Sequence, residues 1–154
     1  MTHWYVNRLF PRRTMTTIEQ AIKASETAHI WEICFVVEGA LESAPLFRGQ
    51  SVRARAIDVF LQLRIWDTEH NNGVLIYLLL ADRAVEIVAD RGVHAKAGSH
   101  EWESICLKME SAFKQKNYEG GVVSGIASVK QHLLEHYASG RGGRNELSDK
   151  PVVL

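Results

Sequence analysis

Three stretches of this sequence carry side chains that could do chemistry together: Glu26, His29 and Glu32; Asp67, His70, Asn71 and Asn72; and Asp90, Arg91 and His94. Carboxylate oxygens beside one or two imidazoles suit a divalent cation. Calcium, magnesium or manganese is expected if oxygens dominate, and zinc if both histidines bind. The candidate ligands are Asp67, Asp90, His94 and Glu32, with Glu26, His29, His70, Asn71, Asn72 and Arg91 as the polar groups around them. Each also has an ordinary structural role open to it. Asp67 can cap a turn, Asn72-Gly73 can supply left-handed backbone, and Asp90 with Arg91 can form a surface ion pair.

Whether these residues meet depends on the elements between them. Gly73 to Leu80 is a run of eight uncharged residues, β-branched and aromatic enough to read as a central strand. Ala84 to Ala89 is a second strand, and Ala81-Asp82-Arg83 between them is short enough for a hairpin centred near Asp82. That register sets Asn71 and Asn72 beside Asp90, Arg91 and Gly92. Ile30 to Val37 reads as an earlier strand, and Ser51 can cap a helix running to about Arg64. Strand, helix and strand in that order form a right-handed crossover, so the two strands should be parallel and start at the same pole. His29 and Glu32 therefore join Asn71, Asn72 and Asp90. The opposite pole, where open α/β sheets commonly bind ligands, would hold Glu38, Glu42, Asp82 and Arg83, a smaller polar set.

The remaining elements follow from periodicity and capping. Thr16 or Thr17 with Glu19 or Gln20 offers a capping box for a helix to about Ala28. Ser99 can cap a helix whose stripe is Trp102, Ile105, Cys106, Met109 and Phe113. A last helix after Lys116-Asn117-Tyr118 presents Val122, Val123, Ile126, Val129, Leu133 and Tyr137. The expected order is helix, strand, helix, antiparallel strand pair and two helices, an α/β fold. The division is an N-terminal arm over 1–15, one domain over 16–138 and a polar, glycine-bearing mobile tail over 139–154.

At 154 residues, one core is expected. Eighteen basic side chains against eighteen acidic ones leave no net field, which argues against a partner bound through bulk charge such as nucleic acid. Cys34 and Cys106 lie in apolar contexts and read as buried free thiols. The start lacks the apolar core of a signal peptide and no run approaches a membrane span, so a cytoplasmic location is expected. In the arm, Trp4, Tyr5, Leu9 and Phe10 mix with Arg8, Arg12 and Arg13. That composition suits a membrane surface or a membrane protein as partner, or packing on its own domain.

Other local patterns lead nowhere. His132 to His136 matches H-x-x-E-H, in which two histidines one turn apart hold zinc, yet only eighteen residues follow to supply another ligand. Ordinary exposed helix residues are the better reading. Gly120, Gly121 and Gly125 precede no phosphate-binding lysine, and no serine has the glycine spacing of a nucleophile elbow.

Taken together, IWEICFVVE, AIDVFLQLRIW, NNGVLIYLLLADRAVEIVADRG and the pattern F-x-x-x-x-Y-x-x-G at Phe113, Tyr118 and Gly121 resemble the TPM domain family over about Thr17 to Tyr137. That family includes a thylakoid lumen protein of photosystem repair and many bacterial membrane-anchored proteins. The resemblance implies a three-layer α/β/α sandwich with a small mixed sheet, divalent-cation binding and, for the thylakoid branch, acid phosphatase activity. The chain departs from the family where many members read G-x-G-L-E, since it has Asp90-Arg91-Gly92-Val93-His94. The expectation is a binding or accessory module whose polar pole holds a divalent cation or a partner segment. The alternative is a metal-assisted acid phosphatase, with Asp67 and Asp90 as ligands, Arg91 clamping phosphate and His94 as acid or base.

Overall fold

The structure, a computed structural model, describes residues 3–26, 31–40, 50–68, 72–93, 100–136 and 147–154. Its elements in chain order are α1 (His3–Leu9), α2 (Arg12–Glu26), β1 (Glu32–Glu38), α3 (Val52–Gln62), β2 (Gly73–Leu79), β3 (Ala84–Ala89), α4 (His100–Lys114), α5 (Tyr118–His136) and β4 (Val152–Val153). The sheet order is β3-β2-β1-β4. β1 and β2 are parallel, with Glu32 opposite Gly73, as the crossover requires; β3 returns antiparallel to β2.

Every residue of β2 is buried, which an unbroken apolar strand needs, since both faces of the sheet must then be covered. Alternate side chains divide between two cores. Ile33, Phe35, Val74, Ile76 and Leu78 join α1, α2, α4 and α5 in the larger one. Val36, Leu75, Tyr77 and Val88 meet Ala56, Val59 and Phe60 of α3 in the smaller. Helices thus cover both faces, giving the three-layer sandwich.

The hairpin turns one residue differently from the expected reversal. Its last pair is Leu79 with Ala84, so the loop is Leu80 to Arg83, closed by the Arg83 N–H donating to Leu80 O (3.1 Å) with Arg83 at φ 50. A four-residue turn moves the centre half a residue, and Gly73 rather than Val74 stands across from Asp90, whose N–H donates to Gly73 O (2.9 Å). The starts of β1 and β2 and the end of β3 still share one pole.

Gly73 is where the crossover closes against the sheet. A Cβ there would collide with the backbone oxygen of Ile65, the residue that follows α3 into β2. Backbone cannot swing aside as a side chain would, so Gly73→Ala is expected to lower the unfolding free energy by about 1–3 kcal/mol in urea titrations.

The N-terminal helices differ from expectation. Residues 3–9 are α1, with Val6 buried, and Pro11 separates it from α2, which starts at once at Arg12. Thr16 and Thr17 cap nothing: their hydroxyls donate to Arg12 O (3.0 Å) and Arg13 O (3.1 Å), already one turn inside the helix. Ser51 does cap α3, its Oγ accepting from the Ala54 N–H (3.0 Å). The expected stripe of α4 is buried throughout.

The last described stretch adds a strand that periodicity did not reveal. Within the segment read as a mobile tail, Val152 and Val153 pair with Val36 and Val37, and the Leu154 N–H donates to Val37 O (2.9 Å). Two residues are too few for an apolar pattern to register, and their pairing is set by the edge of β1.

Candidate functional site: the polar pole and the edge of β1

The starts of β1 and β2 and the end of β3 share one pole, but the described candidate ligands, Glu32, Asp67 and Asp90, do not converge on one point. Glu32 and Asp90 stand on either side of Gly73, two strand spacings or about 10 Å of sheet apart. The Ile65 backbone fills the glycine's place between them. Asp67 lies at the surface, where Arg64 holds its carboxylate (2.9 Å). Among the described residues no three His, Cys, Asp or Glu side chains are grouped to hold an ion. His29, His70, Asn71 and His94 lie outside the described residues.

Asp90 and Asn72 serve the backbone at this pole. Asp90 Oδ1 accepts from the Arg91 N–H (2.7 Å) and Asp90 O from the Val93 N–H (3.0 Å), turning the chain after β3. The Arg91 side chain is exposed. Asn72 is buried, its N–H donating to Thr68 Oγ1 (3.1 Å) and its carbonyl accepting from the Glu32 N–H (3.1 Å). Asn72 Oδ1 and Asp90 Oδ2 are buried oxygens with no hydrogen-bond partner among the described residues. Asn72 continues the alternation of Val74 and Asp90 that of Val88, so the two point to opposite faces. Oxygen donors suit a hard cation, and among the described residues the fit at each is limited to one side chain.

A different cluster does assemble, on the outer side of β1. Glu26, at the end of α2, accepts the Ile33 N–H at Oε2 (2.7 Å), so a side chain takes the ladder bond that β4 is too short to make. Its carboxyl also hydrogen-bonds to Asp149, which is buried in the segment leading to β4. Glu32, buried on the same strand, accepts the Leu147 N–H at Oε1 (2.7 Å). Burial, then the Asp149 hydrogen bond, and the charges of Asp149 and Glu32 push Glu26 up to about 9, against the weaker downward pull of the Ile33 N–H. Glu26 is therefore a neutral acid at pH 7, hydrogen-bonded to Asp149. Burial also pushes the Cys34 thiol up to about 12, with the nearby carboxylates adding to it, so this half-buried free thiol is not a nucleophile.

Glu26 and Glu32 belonged to the predicted set; Asp149 did not, because nothing in SDKPVVL marks it as part of the sheet. The one available signal was the pair Val152-Val153 ahead of the terminal leucine, a run too short to distinguish from chance.

At the other pole Glu38 is buried and committed to structure, held by Arg55 and Tyr77. Glu42 lies outside the described residues. The decoy helix motif resolves plainly: His132 is buried with its ring edge-on to Trp102 (4.7 Å), not exposed, while Glu135 faces solvent and pairs with Gln131.

The stretch F-x-x-x-x-Y-x-x-G has a packing explanation. Phe113 and Tyr118 stack (5.5 Å, 14°) across the α4–α5 turn, and a Cβ at Gly121 would lie 2.7 Å from the Phe113 ring. Phe10 then packs on Tyr118 (5.7 Å) and ties α1 to the same corner.

Comparison with known proteins agrees with this architecture. The BA42 protein of the psychrophilic bacterium Bizionia argentinensis, solved by NMR, is 27% identical and superposes with a TM-score of 0.78 over 92% of each chain. The N-terminal domain of a protein from P. gingivalis shares the fold at 22% identity and TM-score 0.67, over 86% of this chain and 83% of that one. So does the N-terminal domain of a Corynebacterium glutamicum protein, at 17% and 0.56, over 88% and 79%. No curated protein matches. The family model for the TPM domain matches residues 7–132, most of the chain and all of its three longer strands. The chain belongs to the TPM domain family.

Proposed function

We propose that this TPM domain is a non-enzymatic binding module that takes an extended peptide segment along the edge of β1 and the polar pole, a place its own residues 147–154 fill in cis. The observation that carries this reading is the Leu147 N–H donated to buried Glu32, followed five residues later by the start of the parallel β4 pairing. Edge strands offer unpaired backbone groups, and strand addition is a common way to recognise a segment. Leu147, Val152 and Leu154 supply apolar contacts to the smaller core, while Glu26 and Glu32 hold backbone donors. A two-residue parallel strand has little to hold it, so a better segment can replace it.

The exposed Trp4 of α1, with Arg8 above its ring (5.8 Å), and the exposed Arg12 and Arg13 at the start of α2 supply groups suited to an anionic membrane surface. No helix among the described residues is long and apolar enough to cross a membrane. Metal-assisted phosphatase chemistry has no specific observation in its favour, since Asp67 and Asp90 are engaged separately.

The test uses a labelled peptide with the sequence of residues 147–154 and a full-length Val152→Asp, Leu154→Asp variant whose own tail no longer docks. The variant should bind the peptide with a micromolar to millimolar dissociation constant, roughly 4–8 kcal/mol. The native chain should bind more weakly, because its own tail competes at an effective concentration on the order of millimolar. A natively folded variant that ignores the peptide would overturn the reading.

A further inference from the structure

The other edge of the sheet has an open groove of about 580 Å³ between α3 and α4, floored by β3. Its outward backbone groups meet side chains in place of a neighbouring strand. Glu110 Oε2 accepts the Val85 N–H (2.8 Å), Cys106 takes the Ile87 N–H, and the Arg53 guanidinium donates to Ile87 O. Donor, donor and acceptor along one strand edge are what a paired strand would satisfy. Glu110, Cys106 and Arg53 thus stand where its backbone would run.

The walls state the chemistry of the occupant. Among the described residues Glu86, Glu103 and Glu110 line the groove against one cation, Arg53, which lies 3.4 Å from Glu86. A narrow site lined mainly by one sign of charge favours the opposite sign. Leu107 on the rim is 66% exposed, an apolar contact with nothing on it in this structure. Trp102 in the wall is 5% exposed, and its buried indole N–H has no acceptor among the described residues. A peptide carbonyl is an acceptor of the right kind.

We propose that this groove binds an extended, lysine- or arginine-bearing peptide as an added strand on β3, its cations meeting Glu86, Glu103 and Glu110. Pairing frees Glu110 from the Val85 N–H, and the freed carboxylate then faces the incoming cation, so the same displacement that opens the edge strengthens the charge contact. The site is independent of the β1 edge, which lies across the sheet.

The probe is a fluorescein-labelled, end-capped octapeptide alternating lysine and valine, titrated into the full chain at low salt. Saturable binding is expected, with amide shifts centred on Val85, Ile87 and Ala89. Glu103 is exposed and makes no hydrogen bond or ion pair among the described residues, so Glu103→Lys should keep the native circular dichroism and weaken binding about tenfold. Methylating alternate peptide nitrogens should abolish binding in one of the two registers, because it removes the ladder donors and keeps the charge. Equal binding by both methylated peptides or by a glutamate–valine peptide would overturn the proposal. So would shifts confined to another face, self-association of the native chain through this edge, or no binding.

Discussion

Glu38→Gln is expected to lower the unfolding free energy by about 3–5 kcal/mol, the usual cost of breaking a buried ion pair from one side. Arg55 grips Glu38 through two parallel hydrogen bonds, Nε to Oε1 (2.8 Å) and Nη2 to Oε2 (2.9 Å), and the Tyr77 hydroxyl donates to Oε1 (2.6 Å). Glu38 and Arg55 are only 8% and 5% exposed. The glutamine keeps the shape and removes the charge. A guanidinium cannot shed its proton, and the Glu38 hydrogen bonds hold Arg55 above its ordinary value, so the cation would be left buried without its counter-charge. Domains of this size have about 5–15 kcal/mol in total, and the variant would be marginal. Removing both charges together, as Glu38→Leu with Arg55→Met, should recover most of the loss, because an apolar pair needs no desolvation. Urea unfolding of the three proteins decides it. A single-variant loss under about 1 kcal/mol would mean that water reaches the pair and that α3 is held to the sheet by its apolar side alone.

This pair also shows where the sequence was legible and where it was not. Glu38 was read as one polar group of a second pole, since a glutamate closing an apolar strand looks like a loop residue. Only the crossover helix brings Arg55 over it, and α3 carries Arg53 and Arg55 with no mark that one faces the sheet. The long apolar runs were different: β2 and the α4 stripe are dictated by periodicity, and the parallel orientation of β1 and β2 follows from the strand–helix–strand crossover. Between these extremes lies the polar pole. Its position followed from the hairpin, but convergence of Glu32, Asp67 and Asp90 did not, because sheet spacing and a single glycine keep Glu32 and Asp90 apart. Asp149 was out of reach altogether, its burial depending on contacts across more than a hundred residues of chain.

Raising the pH from about 5 to about 9 should progressively destabilise the native chain, and Glu26→Gln should remove that dependence. Glu26 has a folded pKa of about 9 against an unfolded value near 4.5. Below 4.5 both states hold the proton. Between 4.5 and 9 the folded chain keeps a proton that the unfolded chain has released, so stability falls as pH rises, by at most about 1.4 kcal/mol per pH unit for one proton. Above 9 the loss is complete. At high pH the charges of Glu26, Asp149 and Glu32 would face one another across the junction of α2, β1 and the closing segment. The segment is the part free to leave, so the amides of Leu147 and Leu154 should lose hydrogen-exchange protection before the β2 amides do. Glutamine keeps an acceptor for the Ile33 N–H and offers a permanent donor to Asp149, which is why it should flatten the profile and raise stability at pH 8. Urea midpoints for native and Glu26→Gln chains that run parallel across the window would remove Glu26 as the titrating group. A flat profile for Glu26→Gln together with late loss of the Leu147 amide would separate the two ideas: Glu26 would titrate, and the segment on the β1 edge would be held by its apolar contacts rather than by the acid pair.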